Sequence, residues 1–130
     1  MSSGNGDIAR RLYRAFNERD TKTTRELMAP NVEWVNPEDA VEPGTRQGWE
    51  DYQRALAGLR ESFEEISVEV ERIEEAGDRV AAVIEVHVRG RGSGLEATTR
   101  QSGLWTFRDG RAVRYEWFND PEAALRDLGA

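Results

Sequence analysis

Cysteine is absent from this chain, which removes disulfide frameworks, thiolate nucleophiles and zinc–thiolate sites in one step. Its absence fits a reducing cytoplasm, where we expect the protein. Histidine occurs once, as His87, so a site built from several imidazoles is excluded. No apolar run approaches the roughly 20 residues that a bilayer-spanning helix needs. The start, Met1-Ser2-Ser3-Gly4-Asn5-Gly6, has neither the basic residues nor the apolar segment of a secretory leader, and no membrane association is expected. Basic residues are the minority charge, 18 Lys and Arg against 25 Asp and Glu for a formal net charge of -7, which argues against nucleic acid as a partner.

What is present amounts to one domain. We expect residues 1–6 to be disordered and residues 7–130 to form a single folded unit. Ile8, Leu12, Ala15 and Phe16 recur at three- and four-residue spacing, one stripe of an amphipathic helix with Asp7 as its cap. Asp20 or Thr21 caps a second, shorter helix that buries Leu27 and Met28 and stops before Pro30. Residues 31–36 alternate as a short strand, and residues 37–47, with Pro37, Pro43 and Gly44, read as a long loop of the kind that forms mouths and lids. Trp49, Tyr52, Leu56, Leu59 and Phe63 then mark a third helix, after which the period switches to two. Ile66, Val68 and Val70 lead to a bulge at Arg72-Ile73 and a turn at Gly77-Asp78. Val80, Ala82, Ile84, Val86 and Val88 follow on one face of the next strand, with Val83, Glu85, His87 and Arg89 on the other. Asp120-Pro121-Glu122 opens a last helix that uses Ala124, Leu125 and Leu128. This order predicts an α+β fold, a curved antiparallel sheet wrapped round a long helix, with helices on one face only.

The strands at residues 95–107 and 112–118 organise the rest. Between them lies Asp109-Gly110, a pair that supplies the positive φ of a tight hairpin. Alternation puts Trp105 and Phe107 on one face with Tyr115 and Trp117, and pairing the strands by their apolar faces adds Gln101, Val113 and Asn119. The outer set, including Glu85, His87, Thr98, Arg100, Arg114 and Glu116, is charged or polar. The inner set offers rings and amides but no ionisable base. Glycines at 90, 92 and 94 precede a strand, so they read as a hairpin turn rather than a phosphate loop, which needs a following helix.

Several short segments carry a family resemblance in a consistent order: Tyr13-Arg14-Ala15-Phe16-Asn17, Met28-Ala29-Pro30-Asn31-Val32-Glu33-Trp34, Ala76-Gly77-Asp78-Arg79-Val80, Gly90-Arg91-Gly92-Ser93-Gly94, Trp105-Thr106-Phe107-Arg108-Asp109-Gly110 and Asp120-Pro121-Glu122-Ala123-Ala124-Leu125. From Ile8 to Gly129 the chain resembles the SnoaL-like polyketide-cyclase branch of the nuclear transport factor 2-like superfamily. The resemblance implies a cone-shaped α+β barrel with a deep pocket, and a homodimer formed through the outer sheet face. Cyclases, isomerases, dehydratases, epoxide hydrolases and non-catalytic binders share that fold, so function has to be argued from the site. Related isomerases and epoxide hydrolases use a cavity-facing Asp in or near the last strand. The matching positions here look like Trp117 and Asn119, and an asparagine cannot take a proton.

The expected site is therefore a pocket formed by Trp34, Tyr52, Gln101, Trp105, Tyr115, Trp117 and Asn119 that binds a small, largely apolar or aromatic molecule. The alternative is an isomerase, cyclase or hydrolase that works through a carboxylate base. Its candidates are a loop carboxylate or Asp120, which also fits a helix cap; the one imidazole, His87, is a further candidate base, but its parity puts it on the outer face, at the surface or a dimer interface. Glu38, Asp39 and Glu42 in the loop can reach a pocket mouth. A single histidine without a carboxylate cluster makes a poor metal ligand, so neither metal nor cofactor is expected.

Overall fold

Ala9, Leu12, Tyr13 and Ala15 are buried along one side of helix α1 (Asn5–Glu18) in the structure, a computed structural model that describes residues 4–129. Gly4, not Asp7, occupies the N-cap, and the Gly6 amide donates to the Glu75 carboxylate at 2.7 Å. The disorder expected for residues 1–6 thus fails at Asn5 and Gly6, which are helical, while residues 1–3 lie outside the described residues. Asp20 caps α2 (Thr21–Leu27) as expected, its carboxylate accepting from the Thr23 amide at 3.0 Å and the Thr23 hydroxyl at 2.7 Å.

Strand β1 (Met28–Asn36) pairs antiparallel with β2 (Gly44–Gln47), which occupies the second part of the expected long loop. Gly44-Thr45-Arg46-Gln47 has one β-branched residue and no alternation, so only its partner makes it a strand. Helix α3 (Trp49–Ser62) buries Tyr52 and stops one residue early, leaving Phe63 to open β3 (Phe63–Ala76). β4 (Arg79–Gly90), β5 (Glu96–Arg108) and β6 (Arg111–Phe118) follow as a meander, and α4 (Ala123–Gly129) closes the chain.

The six strands form one open sheet in the order β2-β1-β6-β5-β4-β3. β1 runs parallel to β6, so the sheet is mixed, while every other pair is antiparallel. Asp109 and Gly110, at φ 53° and 79°, make the β5–β6 turn. The β3–β4 register shifts between Val70 and Arg72, where a bulge was expected. In the β5–β6 pair another shift, with Thr106 opposite Arg114 and Phe107 opposite Ala112, makes Val113 the extra residue of a bulge. Ala112 rather than Val113 therefore joins the core.

The principal core lies between the concave face of the sheet and helices α1 and α3. A second cluster joins Ala81 and Leu104 on the convex face to Ala124, with Phe118, Leu125 and Leu128 against it. Helix α4 thus covers part of the face expected to be free of helices. The apolar convex side chains Ala81 and Leu104 are the reason, since left in water they would forgo about 25 cal/mol per Å² of burial.

Candidate functional site

The register puts Trp105 opposite Tyr115 and Gly103 opposite Trp117, so their side chains rise together from the concave face. Trp34 lies opposite Tyr115 on the parallel neighbour. Their rings form a continuous wall: Trp105 and Tyr115 have centroids 4.1 Å apart, Trp34 and Tyr115 5.3 Å, and Trp34 and Tyr52 of α3 5.1 Å. The two Trp34 distances fall in the favourable range for aromatic pairs, and the tilted Trp105–Tyr115 pair is closer still. Above the wall opens a cavity of about 710 Å³, bounded by α1, α3, the residues 40–42 and the far halves of β3, β4 and β5.

Gly103 makes the wall possible. A Cβ there would stand 2.6 Å from Tyr115 Cε1 and 2.7 Å from Tyr13 Oη, so only a glycine lets the two phenols approach β5. Trp105 Nε1 donates to Tyr13 Oη at 3.1 Å, and the Tyr13 and Tyr115 hydroxyls share a hydrogen bond of 3.3 Å. Two hydroxyl protons are available and one lies between the phenols. The other has no acceptor among the described residues. Burial pushes Tyr13 up to about 12 and Tyr115 well above its ordinary value, and Tyr52 is raised for the same reason. All three remain neutral donors at physiological pH.

Asn36 holds the cavity's other side. Its Oδ1 accepts from Trp34 Nε1 and from Trp117 Nε1, each at 2.7 Å, and its Nδ2 donates to the Glu42 carbonyl at 3.0 Å. One amide thus fixes two indoles and ties the 37–43 connection to them. Sequence reasoning missed both Asn36 and Tyr13. Asn36 shares the parity of Trp34, and Tyr13 follows Ala9 by one helical turn, so each carried a periodic signal.

Of the expected pocket residues, Trp34, Tyr52, Gln101, Trp105, Tyr115 and Trp117 all line the cavity. Asn119 does not. It is exposed at the rim and accepts from Gln101 Nε2 at 3.2 Å. Glu42 is the one carboxylate on the lining, beside Arg46 at 3.4 Å; Glu38 and Asp39 do not reach it. Neither catalytic candidate lines the cavity either. The Asp120 carboxylate accepts from the Glu122 amide at 2.8 Å and from Arg126, the latter chiefly holding it below the usual carboxylate range. His87 stands on the convex face among Glu69, Glu85 and Thr98. A shallower groove of about 560 Å³ runs beside α1 and α3 and shares Phe16 and Tyr52 with the cavity, but no sheet aromatic lines it.

A family profile described as the SnoaL-like domain matches residues 9–115. Among solved structures, TerC co-crystallised with polyporic acid is 30% identical, with 97% of this chain and 98% of that chain covered and a TM-score of 0.81. An NTF2-like protein of unknown function from Burkholderia pseudomallei is 26% identical over 99% of this chain and 100% of that one, with a TM-score of 0.81. IdmH, a putative polyketide cyclase from Streptomyces antibioticus, is 25% identical over 98% and 100%, with a TM-score of 0.78. No curated protein matches.

Proposed function

This chain belongs to the SnoaL-like domain family, and from that premise we propose that its cone binds a small, largely apolar, ring-containing molecule. The observation that carries the reading is the cavity's chemistry: a wall of aromatic rings around a neutral phenol pair with one proton uncommitted. Its volume, about 710 Å³, lies within the roughly 300–1,000 Å³ usual for small-molecule sites. Rings of the guest stack on the half-buried Trp34 and Trp117 above Tyr52, with Trp105 as the buried backing of the wall. The Tyr115 hydroxyl and the Gln101 amide, steadied by Asn119, orient its oxygen atoms.

Polyporic acid is the first probe, because TerC was co-crystallised with it. Titrating it against intrinsic tryptophan fluorescence is expected to give saturable quenching at one site per chain. Tyr115→Phe keeps the ring and removes the hydroxyl, and is expected to weaken binding roughly fivefold, the worth of one ordinary hydrogen bond of about 1 kcal/mol. No saturable quenching, together with no co-purified compound in native mass spectrometry, overturns the reading.

A catalytic version, as an isomerase, cyclase or hydrolase, is favoured by Glu42, the lining's single carboxylate. There Glu42 acts as base and the free phenol proton meets the developing oxyanion. Glu42→Gln then removes turnover and leaves probe binding intact. Two further parts of the proposal are a cytoplasmic setting, which rests on the sequence alone, and a homodimer through the convex face beyond α4. Sedimentation of a monomer at micromolar concentration removes the latter. Among the described residues no helix is long and apolar enough to cross a membrane.

A further inference from the structure

The convex side of the sheet carries a charged cluster that the cavity does not use. Glu69 of β3 stands directly opposite Glu85 of β4, and like charges placed across a ladder repel. The nearby guanidinium groups form their ion pairs elsewhere. Arg100 lies directly opposite Glu85 yet forks onto Glu71, at 2.9 to 3.2 Å, and Arg89 turns to Glu64 and Glu65. Among the described residues the group within ion-pair reach of Glu69 and Glu85 is His87, whose Nε2 is 3.5 Å from Glu69 Oε1 and 3.1 Å from Glu85 Oε1. The ring's other nitrogen, Nδ1, is 3.1 Å from Thr98 Oγ1, directly across on β5.

We propose that Glu69, Glu85 and His87 bind a divalent transition-metal ion of the zinc type on this face. Bonds of roughly 2.0–2.2 Å in a tetrahedron put neighbouring ligand atoms about 3.3–3.6 Å apart. Of the two Nε2-to-carboxylate distances, 3.5 Å matches that edge and 3.1 Å falls a little short of it, while all three ligand atoms lie within 4.8 Å of one another, so small side-chain rotations complete the triangle. Water completes the fourth position. Thr98 acts as an outer-shell partner: accepting from Nδ1–H, it selects the tautomer whose Nε2 lone pair faces the carboxylates. Two carboxylates and a neutral imidazole balance a double positive charge, and the imidazole disfavours magnesium and calcium, which prefer all-oxygen shells. All three ligands stand on paired strands, so little backbone has to order on binding.

The expectation of no metal rested on a lone histidine without a carboxylate cluster; alternation puts Glu85 beside His87, and the pairing of β3 with β4 adds Glu69. The test is competition of untagged full-length protein against a fluorescent zinc chelator, with circular dichroism to check that each variant is folded. One zinc ion per chain is expected with a micromolar Kd, unaffected by excess Mg²⁺. His87→Ala and Glu85→Gln are expected to weaken it at least roughly tenfold and Thr98→Val by about tenfold, while Glu116→Gln, elsewhere on the convex face, leaves it unchanged. Absence of saturable zinc binding, or a His87→Ala variant that binds like the parent, overturns the proposal. In either case the imidazole is simply bridging two surface carboxylates. The probe titration of the cavity reads the other face of the sheet, so the two proposals fail separately.

Discussion

Strand β4 changes character at Ile84. From Val80 to Ile84 every residue is buried, with Val80, Ala82 and Ile84 in the concave core and Ala81 in the cluster under α4. From Glu85 to Gly90 every residue is half-buried: Val86 and Val88 line the cavity while Glu85, His87 and Arg89 face out in ion pairs. One strand is thus sealed on both faces at the closed end of the cone and covered on neither at the open end. The closed end holds the fold together, and the open end carries both the proposed guest site and the proposed ion site.

If that division is right, deleting a ring at the closed end should do far more damage than deleting one at the open end. Trp105 is 4% exposed, packs on Tyr13, Tyr115 and Phe107, and donates to Tyr13. Trp105→Ala is expected to lower unfolding free energy by about 3–5 kcal/mol in urea titrations. Trp117→Ala removes an equally large ring that is only half-buried on the cavity lining, and about 1–2 kcal/mol is expected. Equal losses would mean that the open end is as tightly packed as the closed one.

Alkali probes the same boundary through the tyrosines. All three, Tyr13, Tyr52 and Tyr115, are buried. A phenol whose folded pKa lies above its unfolded value adds stability that is complete below the unfolded value and is lost as pH rises towards the folded one. For Tyr13, raised chiefly by burial, the window runs from pH 10 to about 12, and its share is about 3 kcal/mol. Unfolding midpoints should fall steeply across that window, and tyrosinate absorbance should appear together with unfolding. Absorbance that rises first, with the fold intact, would show that water already reaches the phenols.

How much of this could be read from the chain divides along the same line. Strand identities, the Asp109-Gly110 turn and the inward phase of Trp105, Tyr115 and Trp117 follow from alternation, because a one-residue slip would expose every ring. The double burial of β4 was also written there, as the unbroken apolar run Val80-Ala81-Ala82-Val83-Ile84, the pattern of a strand covered on both faces. Reading only every second residue of it hid the place for α4. What alternation cannot supply is the rung. It puts Glu69 and Glu85 on one face, but their direct opposition depends on where the β3 bulge falls. Asn36 was legible by parity, yet its hold on two indoles needs β1 beside β6, a parallel contact between distant segments.

The smallest effects come from two neighbours on the convex side of β5. Ser102, fully buried, donates to the Asp120 carbonyl at 2.7 Å and accepts from the Ala124 amide at 3.2 Å, so it pins the start of α4 to the sheet. Ser102→Ala leaves both partners inside without a mate and is expected to lower stability by about 1–2 kcal/mol. Arg100, two residues earlier on the same face, holds Glu71 by a fork that lies in solvent. Arg100→Gln is expected to leave the urea midpoint unchanged, because water and salt replace such a pair at little cost. The small hydroxyl should outweigh the charged fork for the same reason that β4 divides at Ile84: α4 excludes water from one rung and not from the next. The opposite ranking would break the division between the two ends.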